Sequence, residues 1–188
     1  MQQIKTDRTL ITLIRPDDAE DICAYYLRNG DHLDRWEPLR PAGYHTPEEW
    51  KIRAMDFAGE ILKGIAYRYV VRLEGNREII AVANFTSVVR GVFLACYLGY
   101  SLDRTMQGKG LMFEVLDTLI PHVLQHYGLH RIMAHYMPEN ARSGALLARL
   151  GFEVEGRARD YLKINGEWRD HVLTARINDV GTPPAIRP

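Results

Sequence analysis

Apolar positions along the chain switch between a period of two and a period near four, and the order of those switches lays out the fold. "TLITLIR", Thr9 to Arg15, reads as a first strand. Pro16 then stands where a first helical residue belongs, and Asp17, Asp18, Glu20 and Asp21 suit the positive end of a helix running through Leu27. "TPEEWKIRAMDFAGEILKG" repeats that grammar, with Thr46 as N-cap, Pro47 at the first helical position, Glu49 three residues after the cap and Gly64 as the stop. Three strand-like runs follow: "AYRYVVRL", "EIIAVANFTSV" and "VFLACYLGYSL". In the third, Val92, Leu94, Cys96, Leu98, Tyr100 and Leu102 share one face, and Tyr97, Gly99 and Ser101 the other.

Leu111, Val115, Leu116, Leu119 and Ile120 then form a helical stripe, with Glu114, Asp117 and Thr118 facing outward. Pro121 lacks an N–H and clashes with the carbonyl four residues back, which predicts a kink or break. "HRIMAHY" reads as a strand, and "NARSGALLARLG" as a short helix with Asn140 as N-cap and Gly151 as its left-handed terminator. In "DYLKINGEWRDHVLTARI", Asn165-Gly166 is a two-residue hairpin turn. Counting outward from it sets Ile164 opposite Glu167, Lys163 opposite Trp168, and Asp160 opposite His171. The whole reads β-α-α-β-β-β-α-β-α-β-β, a mixed α/β sandwich.

Composition narrows the partners. With 188 residues and no repeat or linker, a single domain over 1–188 is expected, with 179–188 as a flexible tail. Lys plus Arg balances Asp plus Glu at 24 each, which argues against nucleic acid or an anionic membrane as the main partner. Cys23 and Cys96 sit in apolar contexts without a CxxC partner, which suits a reducing compartment. The N-terminus carries no long apolar segment and no run of 18 apolar residues occurs, so a cytoplasmic protein is expected. His122 and His126 have the i, i+4 spacing of some zinc sites, but no third ligand accompanies them and no metal is expected.

The chemistry begins at "MQGKGLMFE", Met106 to Glu114, where two glycines flank a lysine at the start of an apolar helix. A Walker loop needs Ser or Thr after the lysine and finds Gly110; a dinucleotide fingerprint needs a third glycine at position 113 and finds Phe113. What remains is a helix start whose amides and dipole favour a pyrophosphate, or else a plain glycine-rich turn.

The wider pattern bears on this choice. "LGYSLDRTMQGKGLMFEVL", followed by "HRIMAHYMPENARSGALLARLGF", resembles the GNAT superfamily of N-acetyltransferases. The blocks "RWEP", "VANFTSVVRG", "QGKGLM" and "DYLKINGEWRDHVLTA" look like its RimJ type, which acetylates the N-terminal alanine of the fifth protein of the small ribosomal subunit. The resemblance implies a GNAT fold: a mixed, mostly antiparallel central sheet flanked by helices, with a V-shaped splay for acetyl-CoA. It implies acetyl-CoA as co-substrate. The amides of Met106, Gln107, Gly108, Lys109, Gly110, Leu111 and Met112 would hold its pyrophosphate, and the backbone of Leu98, Gly99 and Tyr100 its pantetheine arm. Gly99 would also suit the bulge that opens the splay. Asn140 would contact the arm, cap its helix, or do both. One departure is visible: the first position of the family loop pattern, usually Gln or Arg, is Thr105.

The catalytic residues follow less directly. Many family members place a general-acid tyrosine seven residues after the Asn, and here that position is Leu147. Ser143 resembles the serine that Rim-type enzymes use instead. Two base candidates stand open, His135 and Asp160, the latter through its expected pairing with His171 and a place that resembles a glutamate proposed as base in the serine-specific sister type. Little base is needed, because an α-amine with a pKa of about 7.7–8.0 is roughly one-tenth neutral at pH 7, whereas a lysine amine is almost wholly charged. Substrate recognition would fall to "DHLDRWEPLRPAGYH", with Glu37 contacting a positively charged N-terminus and Trp36 either walling the pocket or filling core. The partner implied is a ribosomal-protein N-terminus, with the ribosome or its precursors behind it. Two rival functions remain: acetylation of a small amine, and acyl-CoA binding without catalysis in ribosome assembly.

Overall fold

The computed structural model describes residues 3–179, so the expected tail lies outside the described residues apart from Asp179, which is in a turn. In chain order the elements are β1 (Ile4–Lys5), β2 (Thr9–Leu13), α1 (Ala19–Leu33), α2 (Pro47–Leu62), β3 (Tyr67–Leu73), β4 (Ile79–Val89), β5 (Ala95–Leu102), α3 (Leu111–His126), β6 (Arg131–Met133), α4 (Ala141–Arg149), β7 (Glu153–Ile164) and β8 (Glu167–Ile177). This is the expected order with a two-residue strand added in front. The strands join in one mixed sheet, β1-β2-β3-β4-β5-β6-β8-β7, antiparallel except where β5 meets β6. One core packs α3 and α4 against one sheet face through Leu116, Leu119, Ile120 and Leu147; a second packs α1 and α2 against the other through Tyr25, Trp50, Val70 and Val82. Together they make the expected mixed, mostly antiparallel sheet flanked by helices on both faces.

The local signals hold where a side chain satisfies a helix end. Thr46 Oγ1 accepts from Glu49 N at 3.3 Å, Asn140 Oδ1 accepts from Ser143 N at 3.2 Å, and Gly64 and Gly151 end their helices at positive φ. They fail where tertiary contacts intervene. Helix α1 runs six residues beyond Leu27 because its polar stretch is bound inward: Arg28 and Asn29 both donate to the buried Asp103, and Leu33 is core. Helix α3 is not broken at Pro121, since Leu119, Ile120 and Val123 around it are fully buried and their packing outweighs the roughly 3 kcal/mol cost of an interior proline. β5 starts at Ala95 rather than Val92, because Leu94 takes a left-handed conformation (φ 46°) and Val92 stands in solvent. Of "HRIMAHY" only 131–133 is strand, with Tyr136 making a lone bridge to Val172.

The hairpin register needs correction. Ile164 does pair with Glu167 and Lys163 with Trp168. Between Leu162 and Ala158, however, β7 carries two residues more than β8, so Ala158 and not Asp160 lies opposite His171. Asp160 sits in the bulge at φ 47°, and its N–H is held by Asp170 Oδ1 at 3.1 Å.

Candidate active site

The sheet opens along one side of β5. On its β4 side β5 is paired through Leu102, but on its β6 side pairing stops at Tyr97, opposite Met133. Beyond that point the β6 chain follows β8: Ala134 N–H donates to Thr174 O, and Tyr136 exchanges hydrogen bonds with Val172. The strands therefore splay as a V. Asp103 N–H donates to Ile80 O on β4, and alternation along the antiparallel ladder turns the amide edges of Leu98, Tyr100 and Leu102 toward the gap. Gly99 points its own amide at β4, where it pairs regularly with Asn84; the irregularity in β4–β5 lies between Thr86 and Val89 instead. A Cβ on Gly99 would meet nothing within 4 Å, so its side of the strand is open space.

The gap leads to the start of α3. Gly108 (φ 74°) and Gly110 (φ 72°) turn the loop through conformations that favour glycine. The first α3 bond to leave this loop is Glu114 N–H to Gly110 O, and among the described residues the N–H groups from Gly108 to Phe113 meet no acceptor. Six amides at a helix N-terminus make a cradle for an anion. Met106 and Gln107 do not belong to it, since their N–H groups close the preceding turn onto Asp103 O and Arg104 O. Lys109 is exposed, and its carbonyl is gripped by Arg8 at 2.9 Å, while Arg8 also pairs with Glu114 on the first turn of α3.

Asp103 anchors the entry to this loop. It accepts from Arg28 Nε, Asn29 Nδ2, Thr105 N and Thr105 Oγ1, all within 3.0 Å. Burial alone would raise its pKa, but the bonds from Asn29, Thr105 and Arg28 overcome that and hold the carboxyl far below its ordinary range. Thr105, the departure from the family pattern, thus spends its side chain on the protein itself. Gln107 reaches both sides of the mouth, with Nε2 2.7 Å from His32 Nε2 on α1 and Oε1 accepting from Arg142 on α4 at 2.7 Å.

Ser143, in the first turn of α4, meets Tyr100 from β5: their hydroxyl oxygens are 2.7 Å apart. Sequence reading singled out the Tyr100 backbone and missed this side chain, as it missed Asp103. Leu147, where many relatives have an acid tyrosine, is buried in the core. His135 stacks edge-on against Tyr97 and Tyr161, with Tyr161 also against His171. Its Nδ1 accepts Thr174 N–H at 3.2 Å, which in the neutral ring puts the proton on Nε2. Burial, reinforced by the neighbouring His171, lowers its pKa. Asp160 is exposed on the sheet-edge strand β7, next to Tyr161, whose ring packs 5.5 Å from His135.

Beyond α1 lie two adjoining cavities of about 290 and 150 Å³, both bordered by Leu27, Asp34, Pro38, Arg40 and His45. Glu37 borders the smaller, and burial raises its pKa against the pull of Arg40. Trp36 borders neither; it is half-buried with the Arg35 guanidinium 4.2 Å above its ring. Among the described residues no group of three or more His, Cys, Asp or Glu is arranged to hold a metal ion, and no helix is long and apolar enough to cross a membrane. His122 and His126 stack on each other at 5.0 Å.

Comparison with known proteins agrees with this geometry. Residues 8–153 match the acetyltransferase (GNAT) domain family. The chain is 48% identical over 182 residues to the "[Ribosomal protein uS5]-alanine N-acetyltransferase" of Escherichia coli (strain K12), covering 96% of this chain and 93% of that one. Its structure is similar to that of the ribosomal-protein-S5-alanine acetyltransferase of Vibrio fischeri, with a TM-score of 0.93, 39% identity, and coverage of 97% and 100% of the two chains. It also resembles Mycobacterium smegmatis RimJ in complex with a CoA-disulfide, with a TM-score of 0.86, 28% identity, and coverage of 94% and 85%.

Proposed function

The chain belongs to the acetyltransferase (GNAT) family, and from that premise we propose that it transfers acetyl from acetyl-CoA to the N-terminal α-amine of a protein, namely the N-terminal alanine of ribosomal protein uS5. The observation that carries this reading is the splay beside β5 leading to six free amides at the start of α3: a slot for an extended arm ending in a cradle for a pyrophosphate. The relative in Escherichia coli supplies the substrate class. The reaction belongs in the cytoplasm, where ribosomal proteins are made.

Each residue then has work to do. The edges of Leu98 and Tyr100 pair with the pantetheine amides as an added strand would, and an N–H there steadies the oxyanion that forms when the amine attacks. The amides from Gly108 to Met112 bind the pyrophosphate, aided by the α3 dipole. Lys109 and Gln107 contribute side chains at the rim. Asn140 holds the first turn of α4, and so Ser143, in place. Ser143 donates its hydroxyl hydrogen to the leaving sulfur. The open space over Gly99 admits the N-terminus, and Glu37 with Asp34 receives its positive charge.

The base is weak by design of the substrate. An α-amine loses its proton to water readily near neutral pH. His135, whose Nδ1 is committed to Thr174, presents an N–H and borders the amine's path rather than stripping its proton. Asp160 is given no step here, since the pairing with His171 that would have set it beside that ring is absent.

The test is thiol release from acetyl-CoA with three acceptors: an Ala-starting basic peptide, its N-blocked twin carrying lysine, and spermidine. Turnover with the free Ala terminus alone supports the reading. Turnover with spermidine alone replaces it with a small-amine acetyltransferase, and acetyl-CoA binding without turnover on any acceptor replaces it with an acyl-CoA-binding protein.

A further inference from the structure

Tyr100 and Ser143 are 43 positions apart and come from opposite arms of the site, one from the strand that borders the gap and one from the first turn of α4. We propose that Tyr100 is a positioning residue that aims the Ser143 hydroxyl hydrogen at the sulfur of CoA. The inference rests on Ser143 being the donor to the leaving group and adds the residue that makes it one.

The argument is one of hydrogen-bond capacity. A serine hydroxyl has one hydrogen and two lone pairs, and its rotor turns to suit its neighbours. A phenol, with an ordinary pKa of about 10, is a far better donor than an alkyl alcohol. Across 2.7 Å either hydroxyl could donate, and the more acidic phenol favours Tyr100 O–H to Ser143 Oγ, which occupies one serine lone pair and leaves the serine hydrogen for a third group. Burial pushes the Tyr100 phenol up to about 12, against the small opposing pull of Ser143, so it stays a donor throughout the neutral range. The backbone under Ser143 is fixed as well. Its N–H is bound by Asn140, and the next residue, Gly144, lies so close to Tyr136 that a Cβ would stand 2.8 Å from the ring. A side chain at 144 would have to push the end of the Tyr136 ring aside, so glycine lets this turn sit against that ring.

The step balances without further reactants. A bond forms between the amine nitrogen and the acetyl carbon, the carbon–sulfur bond breaks, and its electron pair leaves on sulfur. The Ser143 hydroxyl hydrogen passes to that developing thiolate. The nitrogen sheds one proton to water, and water returns one to Ser143, so both hydroxyls end as they began.

The experiment compares Tyr100→Phe, Ser143→Ala and the double variant with the Ala-starting peptide, measuring kcat, KM for acetyl-CoA and melting temperature. Tyr100→Phe keeps the ring and removes only the hydroxyl. The expected result is a kcat lowered roughly tenfold or more, as for loss of one well-placed donor, with acetyl-CoA KM within about twofold of wild type. The double variant should be no slower than Ser143→Ala alone, because Tyr100 acts only through Ser143. A merely structural role would instead move KM or melting temperature. Wild-type kcat for Tyr100→Phe beside a slow Ser143→Ala overturns the role of Tyr100 alone, as do losses that multiply in the double variant. Wild-type kcat for Ser143→Ala overturns the reading of Ser143 as donor, and the inference with it.

Discussion

The N–H of Asn165, at the tip of the β7–β8 hairpin, donates to the carbonyl of Glu37 at 2.9 Å. This single bond ties the hairpin tip to the loop that follows α1, beside the larger cavity, which Asn165 also borders. Asn165 (φ 45°) and Gly166 (φ 85°) must both hold positive φ to make the turn. Gly166→Val should strain the tip by about 1–2 kcal/mol, the usual cost of a side chain in the left-handed region. Peptide KM should rise several-fold while acetyl-CoA KM stays put. Equal movement of both would mean that the hairpin does not shape the acceptor side.

The glycines of the loop bear on the other substrate. Gly108→Val and Gly110→Val place branched side chains at φ near 70°, where the backbone disfavours them. At Gly110 a Cβ would be 3.8 Å from Arg8, an ordinary contact, so the penalty is conformational rather than a clash. Loss of about 1–2 kcal/mol in acetyl-CoA binding is expected from each, by the same left-handed penalty. Calorimetric titration with acetyl-CoA reads this directly, and unchanged affinity in both variants would remove the amide cradle from the proposed function.

Asp103 offers a test of how the loop is carried. Asp103→Asn removes a charge that receives four hydrogen bonds and leaves the Arg28 guanidinium without its buried partner. Arg28 keeps a second ion pair to Glu78 at 3.2 Å and some exposure to water, which limits the damage. A loss of about 1.5–3 kcal/mol in unfolding free energy is expected, the range for a hydrogen bond to a charged group. Urea denaturation would reveal it, and acetyl-CoA affinity should fall alongside, since one Asn oxygen can serve Thr105 or the Arg28–Asn29 pair but not both.

How far the sequence reaches depends on the range of the force involved. Thr46, Asn140, Gly64 and Asn165-Gly166 act on backbone within four residues, and each was legible. The Gly108 to Gly110 turn was legible as a helix start, though only the structure separates the free amides from those of Met106 and Gln107, which are used internally. The register of Asp160 was not legible, because counting from a turn assumes no insertion and two residues bulge out beyond Leu162. The Tyr100–Ser143 contact and the Gln107 bridge from His32 to Arg142 arise from topology, which brings β5, α1 and α4 to one mouth. An Asp at the end of a strand just before a glycine loop was the one available signal for Asp103.

Acid should weaken the fold through its histidines. Burial, the leading cause at both, lowers the pKa of His135 and of His45; His171 adds to it at His135 and Arg53 at His45. A histidine whose folded pKa lies below its unfolded value of about 6.5 binds fewer protons when folded. Its contribution is therefore present above pH 6.5 and is lost as the pH falls through the depressed folded value. Melting temperature should drop between pH 7.5 and pH 5, and a His45→Asn, His135→Asn double variant should show a shallower drop. An equally steep drop in that variant would assign the acid sensitivity to other groups, His122 first, whose pKa is also lowered by burial and by His126.

Gly99 gives the sharpest separation of fold from function. Its φ is not positive, it pairs regularly with Asn84, and a Cβ there meets nothing within 4 Å. By packing alone an alanine or leucine is tolerated, and replacing a strand glycine even recovers some of the 0.5–1 kcal/mol that its backbone freedom costs. Yet Gly99 shares its face with Ser101, whose hydroxyl is 2.9 Å from Tyr25 on α1, and so it opens toward the side where the acceptor must arrive. Gly99→Leu should keep or raise the melting temperature, bind acetyl-CoA with unchanged affinity, and lose turnover with the Ala-starting peptide by at least tenfold, a barrier increase of about 1.4 kcal/mol. Gly99→Ala should fall between Gly99→Leu and wild type. Full activity in Gly99→Leu would mean that the amine approaches from elsewhere, and the acceptor path would have to be sought on the α3–α4 side of the gap.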